Sequence, residues 1–586
     1  MKIIVSHHLV AKKSCDKWIY FGYTFDKQKK VEEKIGGKRI SISHQTKDHF
    51  RKNKLSLSEW VEKFKEKGSI SSWISHFTCR NNLVSKIFLN LCQLLAIKDV
   101  IRKMKKNEDI LIICEDVFLI NFLINNIGKK IDIENNIIIF FINIIETMNL
   151  FVSGYAKQIR ILFKIIRLKI ISKLTLTRNK KIPKGKILLF HLALESEKKI
   201  ECKYFGKLPS WFSKKKDNVF KIPWFLNNDM SFKYINTFRK NNFLIFDDFL
   251  NFSDYLSIYN LFFKSFRIFN KNINFKNINV QPLLKREKLF HLKEPSPLFL
   301  RAIPSLKKIT KDATKIISYD HYENMPFEHP LRFALNNLPI KTVNVGFFHS
   351  LVSNNFFVYS HNKTEWRSKI KPDYVICTGS LSKRYLRKNN TPSKKILIAS
   401  ALRQQIIKKN SKIKKNIIIL LPLEFSSSVE MLSKIYEDRD KIFKNLNNKV
   451  IIKPHPLSNV VSILKKSNIK TLPNKWQISN RNINEEINRC LCSISMSSAS
   501  IYDSVLNDTV SISLKSEFDL YDNYLDFINS KYINYCNTKD VNDILKILCL
   551  KYPKNYNDNL KKVRKIIKNG INLPNKNNLK RFIIKN

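Results

Sequence analysis

The chain has 586 residues, with 106 Lys and Arg against 48 Asp and Glu for a net charge of +58, and 44% of its residues are hydrophobic. That length suits roughly two or three domains, each able to bury a core, and that apolar content excludes a disordered chain. The charge calls for an anionic partner such as a nucleotide or lipid headgroups, although Lys, like Asn and Ile, is also enriched by an AT-rich genome, and the absence of C2H2, RNP and helix-turn-helix patterns argues against nucleic acid.

The chain opens on Met1-Lys2-Ile3-Ile4-Val5, followed by His7-His8 and Lys12-Lys13, without the long apolar run or small-residue cleavage site of a secretory signal. A cytoplasmic location is expected. Apolar runs at Lys2–Val5, Ile110–Cys114, Ile187–His191, Phe243–Phe246, Lys315–Tyr319 and Thr342–Val345, with helical patterns between them, predict an α/β fold with a mostly parallel sheet. Within this half, Ile137–Phe141 is wholly apolar, Asn143 and Glu146 interrupt the run, and beyond Ala156 four cations, Lys157, Arg160, Lys164 and Arg167, recur among Ile159, Leu162, Phe163, Ile166 and Ile170. At about 100° per residue they fall within ~80° of arc. A basic amphipathic helix is therefore expected over 157–173, in an insertion near 137–180, facing either an anionic inner membrane leaflet or solvent.

Further along, Asp320, Glu323, Asn324 and Glu328 cluster behind the strand Lys315–Tyr319, and Gly346 and His349 follow the strand Thr342–Val345. The polar stretch Ser360–Trp366 is the expected boundary between a first lobe, 1–366, and a second, 367–586. In the second lobe, strands are predicted at Tyr374–Cys377, Ile396–Ala399, Ile417–Leu421, Val450–Ile452, Cys492–Ile494 and Val510–Ile512. Two such sheets imply two lobes with a cleft. Gly379 and Gly346 follow strands, where glycine serves a close approach to ligand or a tight turn.

Two segments of the second lobe carry chemistry. Lys453-Pro454-His455-Pro456-Leu457 leaves a strand with its histidine held between two prolines, each fixing its own φ near about −65° and biasing the residue before it. The carboxyl end of a strand is where open α/β sheets bind ligands. Ser495-Met496-Ser497-Ser498-Ala499-Ser500 runs from a strand into a helical pattern, and the hydroxyls of Ser497, Ser498 and Ser500, with the first-turn amides, suit phosphate recognition or a plain helix cap. Glycine is scarce, with 11 in the chain, and neither G-x-G-x-x-G nor G-x-x-x-x-G-K-[ST] occurs. This argues against a dinucleotide oxidoreductase and a P-loop NTPase. The ten cysteines lack metal-ligand spacing.

The KPHP element followed by a Ser-Ser helix start resembles the donor-binding half of bacterial GT-B glycosyltransferases of surface polysaccharide synthesis: capsular sialyltransferases, Kdo transferases and the related CDP-glycerol glycerophosphotransferases. Tyr322-Glu323-Asn324-Met325-Pro326-Phe327-Glu328-His329, followed by Gly346-Phe347-Phe348-His349-Ser350, is similar to the YEN-x-PWE and G-[YF]-QH pattern of O-antigen-type surface carbohydrate proteins, with Phe327 in place of Trp and Phe348 in place of Gln. The resemblance implies two Rossmann-like lobes, acceptor-side then donor-side. It implies transfer of a nonulosonic acid or Kdo-like sugar from a CMP donor to a glycan or lipid-linked acceptor. CDP-glycerol phosphotransfer and a non-catalytic membrane-docked scaffold are the alternatives. Glu323 is the expected general base, and Glu328 is a second candidate or a helix-end carboxylate. His349 is a cleft residue or an ordinary loop histidine, with Asp320, Asn324 and Gly346 beside it. Lys453, His455, Pro456, Ser497, Ser498, Ser500 and Gly379 are expected on the donor, with His455 also catalytic. Glu424 is offered to ribose or cytosine, with Ser426–Ser428 as a rival phosphate site. Preorganised donors of this kind meet the leaving phosphate without a metal or cofactor, and the D-x-D of Asp438-Arg439-Asp440 reads as an exposed helix end.

Overall fold

The computed structural model describes residues 2–12, 15–105, 107–128, 131–175, 182–194, 200–215, 217–225, 232–404, 414–444, 446–550 and 554–584. Its strands form three sheets, and every strand pair within them is parallel. The first runs in the order β3-β2-β4-β1-β5, built from β1 (Ile3–His7), β2 (Lys17–Phe21), β3 (Lys38–Arg39), β4 (Ile110–Cys114) and β5 (Ile131–Ile133). The second, β11-β10-β9-β8-β6-β7, holds β6 (Gly185–Leu194), β7 (Val219–Phe225), β8 (Ala313–His321), β9 (Lys341–Phe348), β10 (Tyr374–Cys377) and β11 (Ile396–Ile398). The third, β14-β13-β12-β15-β16-β17, holds β12 (Asn416–Leu420), β13 (Val450–Lys453), β14 (Trp476–Ile478), β15 (Cys490–Ser495), β16 (Val510–Leu514) and β17 (Asn534–Cys536).

Central strands such as Ile110–Cys114 are buried along their whole length, as a parallel sheet covered by helices on both faces requires. The α/β class with mostly parallel sheets is as expected, but the described residues form three sheets rather than two. The boundary expected at 366/367 falls inside the second sheet, because Tyr374 pairs with Val345 and Cys377 with Phe348. The break between the second and third sheets comes between Ile398 and Asn416. Phe243–Phe246 is not a strand. Phe243 makes a single bridge to Lys221 and the chain then turns into a 3-10 segment at Phe246–Asp248.

One helix of 39 residues, Asn136–Leu174, joins the first sheet to the second. It absorbs the amphipathic segment expected at 157–173 and extends it toward the N-terminus by more than five turns. The first domain packs on both others: Lys47 Nζ lies 2.5 Å from Asp522 of the third, and Ser58 Oγ donates to Ser360 O of the second at 2.6 Å.

Candidate functional site

The second and third sheets present the carboxyl ends of their strands to one cavity of about 860 Å³. Lys203 reaches it from the segment after β6 and Arg403 from the segment after β11. Across the cavity stand Leu421 after β12, Lys453 to Pro456 at the end of β13, Arg481 after β14, and Ser500 and Asp503 after β15. In the third sheet β12 lies between β13 and β15, so the chain leaves it in opposite directions and opens the crevice in which doubly wound sheets bind ligands.

The lining is cationic. Lys203, Arg403, Lys453 and Arg481 surround it with His455, against the carboxylates of Glu201 and Asp503. Burial pushes the Asp503 carboxyl up, and the Arg403 and Lys203 charges pull it back. Burial lowers the Lys453 ammonium, with Glu486 opposing and Lys203 reinforcing the shift. Lys453 Nζ also donates to Ser479 O at 3.2 Å. Leu457 N–H donates to His455 Nδ1 at 3.2 Å, so the neutral ring carries its proton on Nε2. An Nε2–H donor suits an anion.

Not all the expected donor residues gather here. Pro456 and Ser500 line the cavity with Lys453 and His455. Ser497 does not: it is buried at φ 51°, its Oγ donates to Asp519 at 2.6 Å and its N–H to Asp522 O at 3.1 Å. The Ser498 hydroxyl accepts from Ser500 N–H at 3.4 Å, a local turn contact. Glu424 caps the helix Phe425–Glu437, accepting from Ser427 N–H, and pairs with Lys86 at 3.6 Å, which corrects its assignment to ribose or cytosine. The rival phosphate site does not form either: Ser426 Oγ donates to Tyr23 O and Ser428 Oγ to Pro422 O. Gly379 is a packing glycine, since a Cβ there would stand 2.0 Å from Gly570 O.

The carboxylates behind β8 separate into two kinds. Glu328 is fully buried, accepts the backbone N–H of Glu323 at 2.7 Å and of Asn324 at 3.0 Å, and shares Arg332 with Asp320. Arg332 grips Asp320 with two nitrogens, at 2.7 and 2.9 Å. Burial pushes both carboxyls up, Glu328 to about 8, against the pull of Arg332. This sealed network holds the loop, and neither acid is the proton acceptor expected of Glu328. Asn324 belongs to the same scaffold: at φ 54° it donates to Val358 O at 2.7 Å and accepts from Lys371 Nζ at 2.7 Å. Gly346 packs on Tyr322, whose Cβ a side chain there would meet at 3.0 Å.

Glu323 differs. Its side chain is 28% exposed and bonded to His349 Nε2 at 2.8 Å, with the His349 ring packed 4.3 Å from Tyr204. Tyr204 sits between Lys203 and Gly206 of the cavity wall, which places the Glu323–His349 pair beside the cavity, though not among its lining residues. Sequence reasoning missed Lys203, Arg403, Arg481 and Asp503. Lys203, Arg403 and Arg481 come from separate segments with no shared motif, and only the excess of positive charge hinted at them, while Asp503 lies three residues beyond Ser500 without a signal of its own.

No protein-family model matches the chain, and no curated protein does. Among solved structures, a mutant of Staphylococcus aureus TarM in complex with fondaparinux, alpha-GlcNAc-glycerol and UDP is 13% identical, covering 68% of this chain and 98% of its own at a TM-score of 0.37. A putative UDP-N-acetylglucosamine 2-epimerase from Listeria monocytogenes is 8% identical over 67% of this chain and 94% of its own, with a TM-score of 0.40. Anabaena Alr3699/HepE in complex with UDP and glucose is 9% identical over 66% and 95%, with a TM-score of 0.36. Likeness at this level assigns no chemistry to the chain.

Proposed function

We propose that the chain is a glycosyltransferase of bacterial surface polysaccharide synthesis, working in the cytoplasm. It would move a nonulosonic acid or Kdo-like sugar from a CMP donor to a glycan or lipid-linked acceptor. The observation that carries this reading is the cationic cavity between two sheets, with Lys453, His455, Lys203 and Arg403 converging from both sides. As the acceptor oxygen bonds to the anomeric carbon, the bond from that carbon to the phosphate oxygen breaks and CMP leaves with the electron pair. Preorganised cations and an imidazole N–H are what that developing charge needs. The acceptor's proton passes to Glu323, the partly exposed carboxylate, with His349 orienting it.

Thermal melts with CMP, CDP and UDP test the cavity first. CMP should raise the midpoint, and His455→Ala or Lys453→Ala should remove the shift. Incubation with CMP-activated sugars and with CDP-glycerol then separates sugar transfer from phosphotransfer by which substrate releases CMP. Loss of one charge-stabilising donor should lower turnover about 10²–10³-fold. If no nucleotide moves the melt and no substrate is consumed, the reading fails.

A further inference from the structure

The helix Asn136–Leu174 carries an apolar face that the protein leaves uncovered. Only 11% of an apolar eighteen-residue stretch of it is buried, and along the whole helix Ile137 is exposed to 76%, Phe141 to 58% and Phe163 to 67%. The exposed residues form a stripe: Ile138, Ile145, Val152, Ile159 and Ile166 stand seven apart on one side of the helix. Phe141, Met148, Tyr155 and Leu162 form a second such row beside them.

Two coverings compete, a second copy of the chain and a lipid surface. A coiled-coil seam is narrow and is flanked by charged positions that set pairing. Here the flanking positions are Ile144, Phe151, Phe163 and Ile170, all exposed and apolar, so the stripe is too wide for a two-helix seam. Along its C-terminal half it is bordered on one side by the protein body, through the buried Ile161, Ile165 and Leu168, and on the other by Lys157, Arg160, Lys164 and Arg167. Apolar side chains beside a row of cations match the acyl and headgroup layers of an anionic membrane.

The helix is about 58 Å long, against about 30 Å of bilayer hydrocarbon. It is nevertheless bound lengthwise to the protein. Glu146 bonds His7 Nε2 at 3.2 Å and Val117 N–H at 3.1 Å, Gln158 Nε2 donates to Leu292 O at 2.6 Å, and Ser172 Oγ donates to Asp248 at 2.6 Å. A helix so tethered lies in the membrane plane rather than crossing it. We propose that the uncovered face of Asn136–Leu174 seats this protein on an anionic lipid surface, with the aromatic and aliphatic stripe inserted and the cation row at the headgroups. This widens the contact expected of 157–173 to the whole helix, and it stands independently of the transferase reading.

Flotation of the full chain with phosphatidylcholine vesicles, with and without phosphatidylglycerol, tests it. The wild type should float with the anionic vesicles. Combined Phe141→Gln, Phe151→Gln and Phe163→Gln, which leave the charge unchanged, should weaken partitioning at least about tenfold. Combined Lys157→Gln, Arg160→Gln and Arg167→Gln should abolish the preference for phosphatidylglycerol. A fluorophore on Ile145→Cys should shift to the blue on vesicles, a readout that needs no loss-of-function variant. The proposal is overturned if the wild type stays with the aqueous fraction, if the triple Phe variant floats as well as wild type through bulk charge alone, or if the fluorophore does not shift. Light scattering that shows a dimer split by the Phe substitutions, without vesicle capture, would assign the face to a second copy instead.

Discussion

His361 is enclosed by Lys371, whose Nζ lies 3.0 Å from Nδ1, and by the Tyr322 hydroxyl at 2.7 Å from Nε2. Burial first, and then the Lys371 charge, push its imidazole down to about 3. In an unfolded chain the ring binds its proton from about pH 6.5 downward. The folded state therefore binds fewer protons across that window, and stability present above about pH 6.5 is lost as pH falls toward 3. At ~1.4 kcal/mol per pH unit, acidification from about pH 6.5 to 5 should cost the wild type about 2 kcal/mol more than His361→Gln. Denaturation midpoints at the two pH values measure this, and equal losses would remove His361 as the cause. The same scale separates the two glutamates behind β8. Glu323→Gln should leave the melt unchanged and lower turnover by about 10²–10⁴-fold. Glu328→Gln breaks a fully buried pair with Arg332 and should cost about 3–5 kcal/mol of stability. Sequence brought both acids to one loop; which was sealed in and which was open depended on Arg332, a turn further on in the helix Glu328–Leu335.

Among the elements, most of the strands legible in sequence lie inside their sheets, with the edge strand Ile396–Ile398 the exception. Ile110–Cys114 and Tyr374–Cys377 are short apolar runs because neighbours and helices cover them on every side. The ones that escaped are mostly edges: Val219–Phe225 contains Pro223, which an edge strand tolerates, and Trp476–Ile478 and Asn534–Cys536 have only three residues each. The third sheet's cavity was legible through Lys453 and His455, since the proline-flanked histidine is a local signal. The second sheet's contribution, Lys203 and Arg403, depended on packing between distant segments. The long helix makes a point that local propensity would miss. Gly154 lies in its interior, where alanine ordinarily gains about 1 kcal/mol. Here an added Cβ would stand 2.7 Å from Leu292 Cβ, so Gly154→Ala should lower the melting midpoint rather than raise it. A rise would show that the helix can lift from Leu292 without loss.

At the scale of the whole molecule, the division into three sheets escaped sequence because a βα pattern does not state which sheet a strand joins. One buried hydrophobic cluster runs through all three units, and a set of buried charges ties the first of them to the other two as well. Glu365, ahead of β10, takes Arg80 and Lys65 of the first domain and Lys371 of its own, with Lys65 Nζ at 2.6 Å and Lys371 Nζ at 3.3 Å. Arg80, Lys65 and Lys371 are all buried, and the carboxyl they share is held well below the usual carboxylate range by them. Removing it leaves three buried cations with Glu62 as the remaining carboxylate on Arg80 and Lys65. An uncompensated buried charge costs about 3–5 kcal/mol, and here the cost falls on the contact between two domains rather than within either core. Calorimetry of Glu365→Ala should therefore show the first domain melting ahead of the rest, where the wild type should melt in one transition. Since Lys47 and Asp522 fasten the same domain to the third sheet, Lys47→Met added to Glu365→Ala should widen the gap between the two transitions. A single transition in both variants would mean that apolar packing alone couples the domains, and that the charges at Glu365 are incidental to their union.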